Sequence, residues 1–174
     1  MRLIKTRKVV DENAKVDLLS VLFSSCFYIG FIPKASGTFG SMFALLFFFV
    51  KGFEKQEILL GAIAVSFILG IITSKVMMKK YGDDPSVVVI DEVVGMWITI
   101  LVFTLLSGQE ISPFYLIISF FSFRFFDILK TQPAKYFDKQ DSAFGLMMDD
   151  VIAGIYAGIV VYLTSLTKFN PVIF

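Results

Sequence analysis

A chain of 174 residues has room for one domain, and with 56% hydrophobic residues, 18% charged residues and a mean hydropathy of +0.78 it is too apolar for an ordinary water-soluble one. The formal net charge of +1 leaves no basic excess to neutralise a phosphate strand, which excludes nucleic acid as a partner. With no histidine and a single cysteine, Cys26, the chain lacks Ser-His-Asp and Cys-His catalysis, His-ligated zinc, phosphohistidine chemistry and an intramolecular disulfide, so any chemistry runs on carboxylates, hydroxyls, Lys and Arg.

In chain order, residues 1–8 are basic, but the next apolar run begins only near Val16, after Asp11 and Glu12, so no cleavable signal is expected. Apolar segments then fall at 17–32, 37–53, 57–74, 92–107, 111–129 and 150–167. A helical crossing needs about 20 apolar residues. Segment 17–32 is diluted by Ser20, Ser24, Ser25 and Gly30 and closed by Pro33, and reads as a helix lying in the membrane interface. Cys26, inside it, reads as a small apolar side chain. The other five segments read as spans. The linkers 75–90, broken by Gly82 and Pro85, and 130–148, broken by Pro133 and Gly145, are expected on one side of the membrane. The expected fold is therefore all-α: one domain, 1–174, forming an integral membrane helical bundle of about five spans plus an N-terminal interfacial helix.

Counting Lys and Arg orients it. With the N-terminus cytoplasmic and segment 17–32 not crossing, Arg2, Lys5, Arg7, Lys8, Lys15, Lys34, Lys75, Lys79, Lys80, Arg124, Lys130, Lys135 and Lys139 face the cytoplasm. Only Lys51, Lys55 and Lys168 lie opposite. A crossing by 17–32 would weaken that bias.

Under this topology the polar motifs gather at one membrane face. Gly37-Thr38-Phe39-Gly40-Ser41 opens the first span, Asp91-Glu92 the third and Asp149-Asp150 the fifth, while Arg124, Asp127 and Lys130 close the fourth. Acidic residues at helix starts have an ordinary reading as caps and dipole partners. Asp127 does not, because a helix C-terminal end disfavours negative charge. It calls for a cation, supplied either by Arg124 and Lys130, each three residues away, or by a divalent metal shared with the other acids. An all-oxygen carboxylate set suits Mg²⁺ or Mn²⁺. Such a metal takes phosphate oxygens as further ligands, and neighbouring cations complete a phosphate clamp. The small residues of 37–41 serve either helix packing or close backbone approach to an anion. Gly95, Gly154 and Gly158 read as helix contacts, the last two at GxxxG spacing, and Trp97 as a packing or interfacial residue.

At these motifs the sequence resembles the phosphatidylglycerophosphatase A family. The matching stretches are GTFGS at 37–41, DDPSVVVIDEVVGMWIT at 83–99, FRFFDILKTQPAKYFDK at 123–139 and GLMMDDVIAG at 145–154, in the family's order. The family often has Pro where this chain has Ser36 and Thr131. The resemblance implies Mg²⁺-dependent hydrolysis of phosphatidylglycerol phosphate to phosphatidylglycerol and phosphate, by an all-helical enzyme of the bacterial cytoplasmic membrane whose active site faces the cytoplasm. On that reading Asp91, Glu92, Asp127, Asp149 and Asp150 hold one or two Mg²⁺, with Mn²⁺ as the substitute. Asp149 or Asp150 is alternatively the base. Arg124 and Lys130 neutralise phosphate charge, and Gly37, Thr38 and Ser41 contact the headgroup of a phospholipid substrate. The rivals are an ion carrier or channel using intramembrane acids, a structural or lipid-binding bundle, and a phosphatase for another phosphorylated lipid. The oligomeric state is left open.

Overall fold

The computed structural model describes residues 14–83 and 85–167. Arg2, Lys5, Arg7, Lys8 and Lys168 of the charge count, and Asp84 of the second motif, lie outside the described residues. Among those described the fold is all-helical: α1 (Leu18–Ser24), α2 (Ser36–Leu46), α3 (Gln56–Tyr81), α4 (Ile90–Ser107), α5 (Pro113–Leu129), α6 (Ala134–Asp138) and α7 (Ala143–Leu166).

Local chemistry sets the helix ends. Asp17 caps α1 by accepting from the Ser20 amide at 2.8 Å. Ser112 caps α5, with Pro113 in its first turn, and Ser142 caps α7 through the Gly145 amide at 3.0 Å. α3 and α4 stop at Gly82 (φ 98°) and Gly108 (φ 63°), where the chain turns through backbone conformations that cost glycine little.

α4 is the centre, buried almost continuously from Ile90 to Thr104. α7 packs on it in parallel. A Cβ on Gly154 would meet the Gly95 carbonyl oxygen at 2.4 Å, and one on Gly158 the Thr99 carbonyl oxygen at 2.7 Å. The GxxxG spacing thus brings the two backbones together. α5 runs antiparallel to α4: Phe123 lies over Gly95 near one end and Tyr115 stacks with Phe103 at 4.6 Å near the other. α2 is fixed by Trp97, whose indole N–H donates to the Ala44 carbonyl at 3.0 Å. On α3, Gly70 admits Met147 and Ile90.

Residues 24–30 dock on the segment leading into α4. The Val89 amide donates to the Ser24 carbonyl at 2.8 Å, and a Cβ on Gly30 would stand 2.0 Å from the Val87 carbonyl oxygen. Cys26, Phe27 and Tyr28 between them take successive left-handed conformations (φ 48°, 58° and 69°), costly for side chains of this size. The Ser25 hydroxyl braces the turn, accepting from the Tyr28 amide at 3.0 Å and donating to the Val21 carbonyl at 2.6 Å.

Three described helices, α3, α4 and α7, are long and apolar enough to cross a membrane. The stretch Ser36–Phe49 is shorter, because α2 tightens into a 3₁₀ turn at Phe47–Phe49 and reaches only about 20 Å at 1.5 Å per residue. α5 has 17 residues. The all-helical membrane class fits, with α3, α4 and α7 long enough for a full crossing and α2 and α5 shorter. The seven residues of α1 rise only about 10 Å, too short to cross.

Candidate active site

Asp91 and Glu92 occupy the first turn of α4, and adjacent helical residues point about 100° apart. Asp91 shares its face with Gly95, so it looks towards α7. Asp150 precedes Gly154 by the same four residues, and the Gly95–Gly154 contact therefore sets the two aspartates at one level. Glu92 turns towards α2, where Gly37 leaves room for it: a Cβ there would stand 2.1 Å from its Oε1. As a result one carboxylate oxygen from each of Asp91, Glu92 and Asp150 lies within 4.8 Å of the other two. Asp91 Oδ1 and Glu92 Oε2 are buried without a hydrogen-bond partner. Orphaned carboxylate oxygens are expensive away from water unless a cation meets them. Oxygen-only donors at this mutual distance fit a hard divalent cation such as Mg²⁺.

Two further acids border this group. Asp127 is an electrostatic neighbour of Asp150, Glu92 and Asp149. Its Oδ2 receives an Arg124 N–H at 2.8 Å, one helical turn away. The same Arg124 nitrogen reaches the Ser41 hydroxyl at 3.4 Å, while that hydroxyl donates to the Gly37 carbonyl at 2.9 Å. Arg124 Nε is buried and has no partner. Lys130, just past α5, takes a left-handed backbone conformation (φ 46°) that turns its side chain to the opposite flank. There its ammonium donates to Asp138 and, at 3.0 Å, to Asp149 Oδ2. Burial alone would lower the Lys130 pKa, but the charge of Asp149 and hydrogen bonds to Asp138 and Asp149 outweigh it and raise it above the ordinary lysine range.

The expected residues converge with three differences. Asp149 and Asp150 do not start their helix; they are its seventh and eighth residues, and Ser142 performs the capping. Asp127 has Arg124 as its helical neighbour, whereas Lys130 leaves it for Asp149 and Asp138. Ser41 is fully buried against Gly37 and Arg124, while half-buried Thr38 makes no side-chain hydrogen bond among the described residues. Asp138 was not anticipated. Its eight-residue separation from Lys130 crosses a helix end, a turn and a second helix, so no periodicity marks it.

The family model described as phosphatidylglycerophosphatase A matches residues 22–165, from within α1 to the end of α7. The chain belongs to the phosphatidylglycerophosphatase A family. Among relatives, a phosphatidylglycerophosphatase A of Haemophilus influenzae is 38% identical over 84% of this chain and 86% of its own length. A phosphatidylglycerophosphatase A of Escherichia coli is 29% identical over 83% of this chain and 80% of its own. A protein of Bacteroides thetaiotaomicron named putative phosphatidylinositol-3-phosphatase is 34% identical over 82% of this chain and 91% of its own. No solved structure matches. Membership of the phosphatidylglycerophosphatase A family makes this an enzyme, a lipid phosphatase associated with membranes, and the matched range contains every residue of the acidic group.

Proposed function

We propose that this phosphatidylglycerophosphatase A homologue hydrolyses phosphatidylglycerol phosphate to phosphatidylglycerol and inorganic phosphate, with Mg²⁺, at the cytoplasmic face of the bacterial inner membrane. The observation that carries the reading is the convergence of Asp91, Glu92 and Asp150 within 4.8 Å, beside Arg124. The names of the Haemophilus and Escherichia relatives support the substrate, and the crowding of lysine and arginine on one side supports the orientation.

Asp91, Glu92 and Asp150 would hold the metal, which when bound supplies Lewis-acid polarisation of the phosphoryl group and a more acidic water. Arg124 is held by Asp127 and Ser41 through one terminal nitrogen, which leaves its other terminal nitrogen to donate to a phosphate oxygen. Both oxygens of Asp149 already accept, Oδ1 from the Asp150 amide at 3.0 Å and Oδ2 from Lys130. That favours Asp149 as the anchor of Lys130, whose remaining N–H is available to the phosphate. Thr38, in the first turn of α2, faces no competing partner and presents its hydroxyl to the headgroup. The acyl chains stay in the bilayer throughout.

Phosphate release from phosphatidylglycerol phosphate should require Mg²⁺, stop in EDTA and return on re-addition of Mg²⁺. Full activity in a chelated sample would sink the metal assignment, and full activity of Asp127→Asn combined with Asp150→Asn would sink the residue assignment. The Bacteroides relative's name supplies a second reading, a phosphorylated inositol lipid. A higher kcat/KM on that lipid would replace the headgroup and keep the chemistry. An ion carrier is disfavoured because carrier acids belong near the membrane midplane, whereas Asp91 and Asp127 lie in the end turns of α4 and α5.

A further inference from the structure

We propose that Asp138 is a positioning residue of this site: through the Lys130 ammonium it fixes where the second phosphate-neutralising charge stands. The proposal rests on the phosphatase reading given above.

α5 ends at Leu129, and Lys130 has turned out of the helical path. A lysine at such a point has four rotatable side-chain bonds and no helical neighbour to hold it. Two carboxylates hold it here, Asp138 from α6 and Asp149 from α7. α6 has only five residues, so its own hydrogen bonds do not fix it in space. Its position comes from α7. Gly145 lies against the carbonyl oxygens of Phe137 and Gln140, where a Cβ would approach to 2.6 and 2.8 Å. Ala134 is buried at the other end of α6. Gly145 and Asp149 are four residues apart on α7 and so share a face. The contact that seats α6 therefore also sets Asp138 alongside Asp149, with the ammonium between them.

Charge balance gives the arrangement its purpose. Asp149 stands beside Asp150 and feels Asp127 and Asp138 as well. A lysine held by Asp149 alone could swing with it; a second anchor on a separate helix leaves the ammonium one location, with its third N–H free for an incoming phosphate. Asp138 would touch neither substrate nor metal and would act only through Lys130.

The test is a double-mutant cycle with phosphatidylglycerol phosphate in Mg²⁺, using Asp138→Asn, Asp138→Glu, Lys130→Met and the Asp138→Asn, Lys130→Met pair. Loss of one hydrogen bond to a charged group predicts a fall in kcat/KM of about tenfold or more for Asp138→Asn. Asp138→Glu should recover most of it, and adding Asp138→Asn to Lys130→Met should cost nothing further. Equal losses in both backgrounds would show a merely structural role and overturn the proposal, as would wild-type activity of Asp138→Asn. Both results leave the phosphatase reading standing. That reading fails separately, if the wild-type protein releases no phosphate from the lipid. Melting of the detergent-solubilised variants, followed in parallel, identifies any that fail to fold. For those, the Asp138→Glu comparison decides.

Discussion

A Cβ on Gly37 would stand 2.1 Å from Glu92 Oε1 and 3.2 Å from an Arg124 nitrogen, so alanine there must push a carboxylate or the guanidinium aside. Displacement of a reacting group by an ångström costs on the order of 10²-fold in rate, and Gly37→Ala should lose about that much kcat/KM while its far-ultraviolet circular dichroism stays unchanged. Wild-type turnover by this variant would remove Gly37 from the site. Cys26 makes an opposite case. It is 3% exposed, donates weakly to the Phe23 carbonyl, and burial followed by the charges of Asp91 and Glu92 pushes its thiol pKa up. A raised thiol pKa leaves the unreactive protonated form at pH 8. The native protein in detergent should therefore resist maleimide labelling, and the unfolded protein should label fully; rapid labelling of the native form would show that the turn at 26–28 opens.

Between elements, the α4–α7 seam concentrates the consequences of small residues. Gly154→Val would drive a side chain into the Gly95 carbonyl oxygen, 2.4 Å from the new Cβ, and should destabilise the protein by about 1–3 kcal/mol as overpacking does, with loss of phosphatase activity as Asp150 separates from Asp91. Gly61, on α3, has nothing within 4 Å of such a Cβ, so Gly61→Ala should leave activity intact and add up to about 1 kcal/mol from helix propensity. Thermal melts in one detergent compare the two, and equal destabilisation would contradict the seam. This seam was readable in the sequence because the GxxxG spacing of Gly154 and Gly158 is local, and so were the acidic motifs that flank it. The start of α7 was hidden: Asp149 and Asp150 interrupt the apolar run, and only the Ser142 cap marks the six helical residues before them. The break of α2 at Phe47 was hidden as well, since phenylalanines continue straight through it. Helical spacing offers Lys130 to Asp127 as one of two alternatives, a rule that lapses at the residue where the backbone turns left-handed. Sequence spacing reports partners along one helix. Asp138 meets Lys130 only through the packing of α6 on α7.

At the scale of the molecule, the site gathers the carboxylates of Asp91, Glu92, Asp127, Asp138, Asp149 and Asp150 around only Arg124 and Lys130, a local excess of acid that a bound divalent cation would balance. Mg²⁺ at 100 times its dissociation constant should therefore stabilise the folded state by about 2.7 kcal/mol, seen as a rise in the thermal midpoint that needs no substrate. Asp91→Asn and Asp150→Asn should each diminish the rise; an undiminished rise in both would place the ion elsewhere. The parallel ladders Asp91-Gly95-Thr99 and Asp150-Gly154-Gly158 carry one more implication. They act as a phase lock, in which the acids face each other only while both helices keep the same rotational setting. Inserting a single alanine between Gly95 and Asp91 turns the acid by about 100° and lifts it by about 1.5 Å without touching the glycine contact itself. Such a chain should still fold and still enter the membrane, yet be silent as an enzyme. Length changes should thus be tolerated in the turns far better than within the first two turns of α4, where the angle around the helix axis is itself the functional quantity.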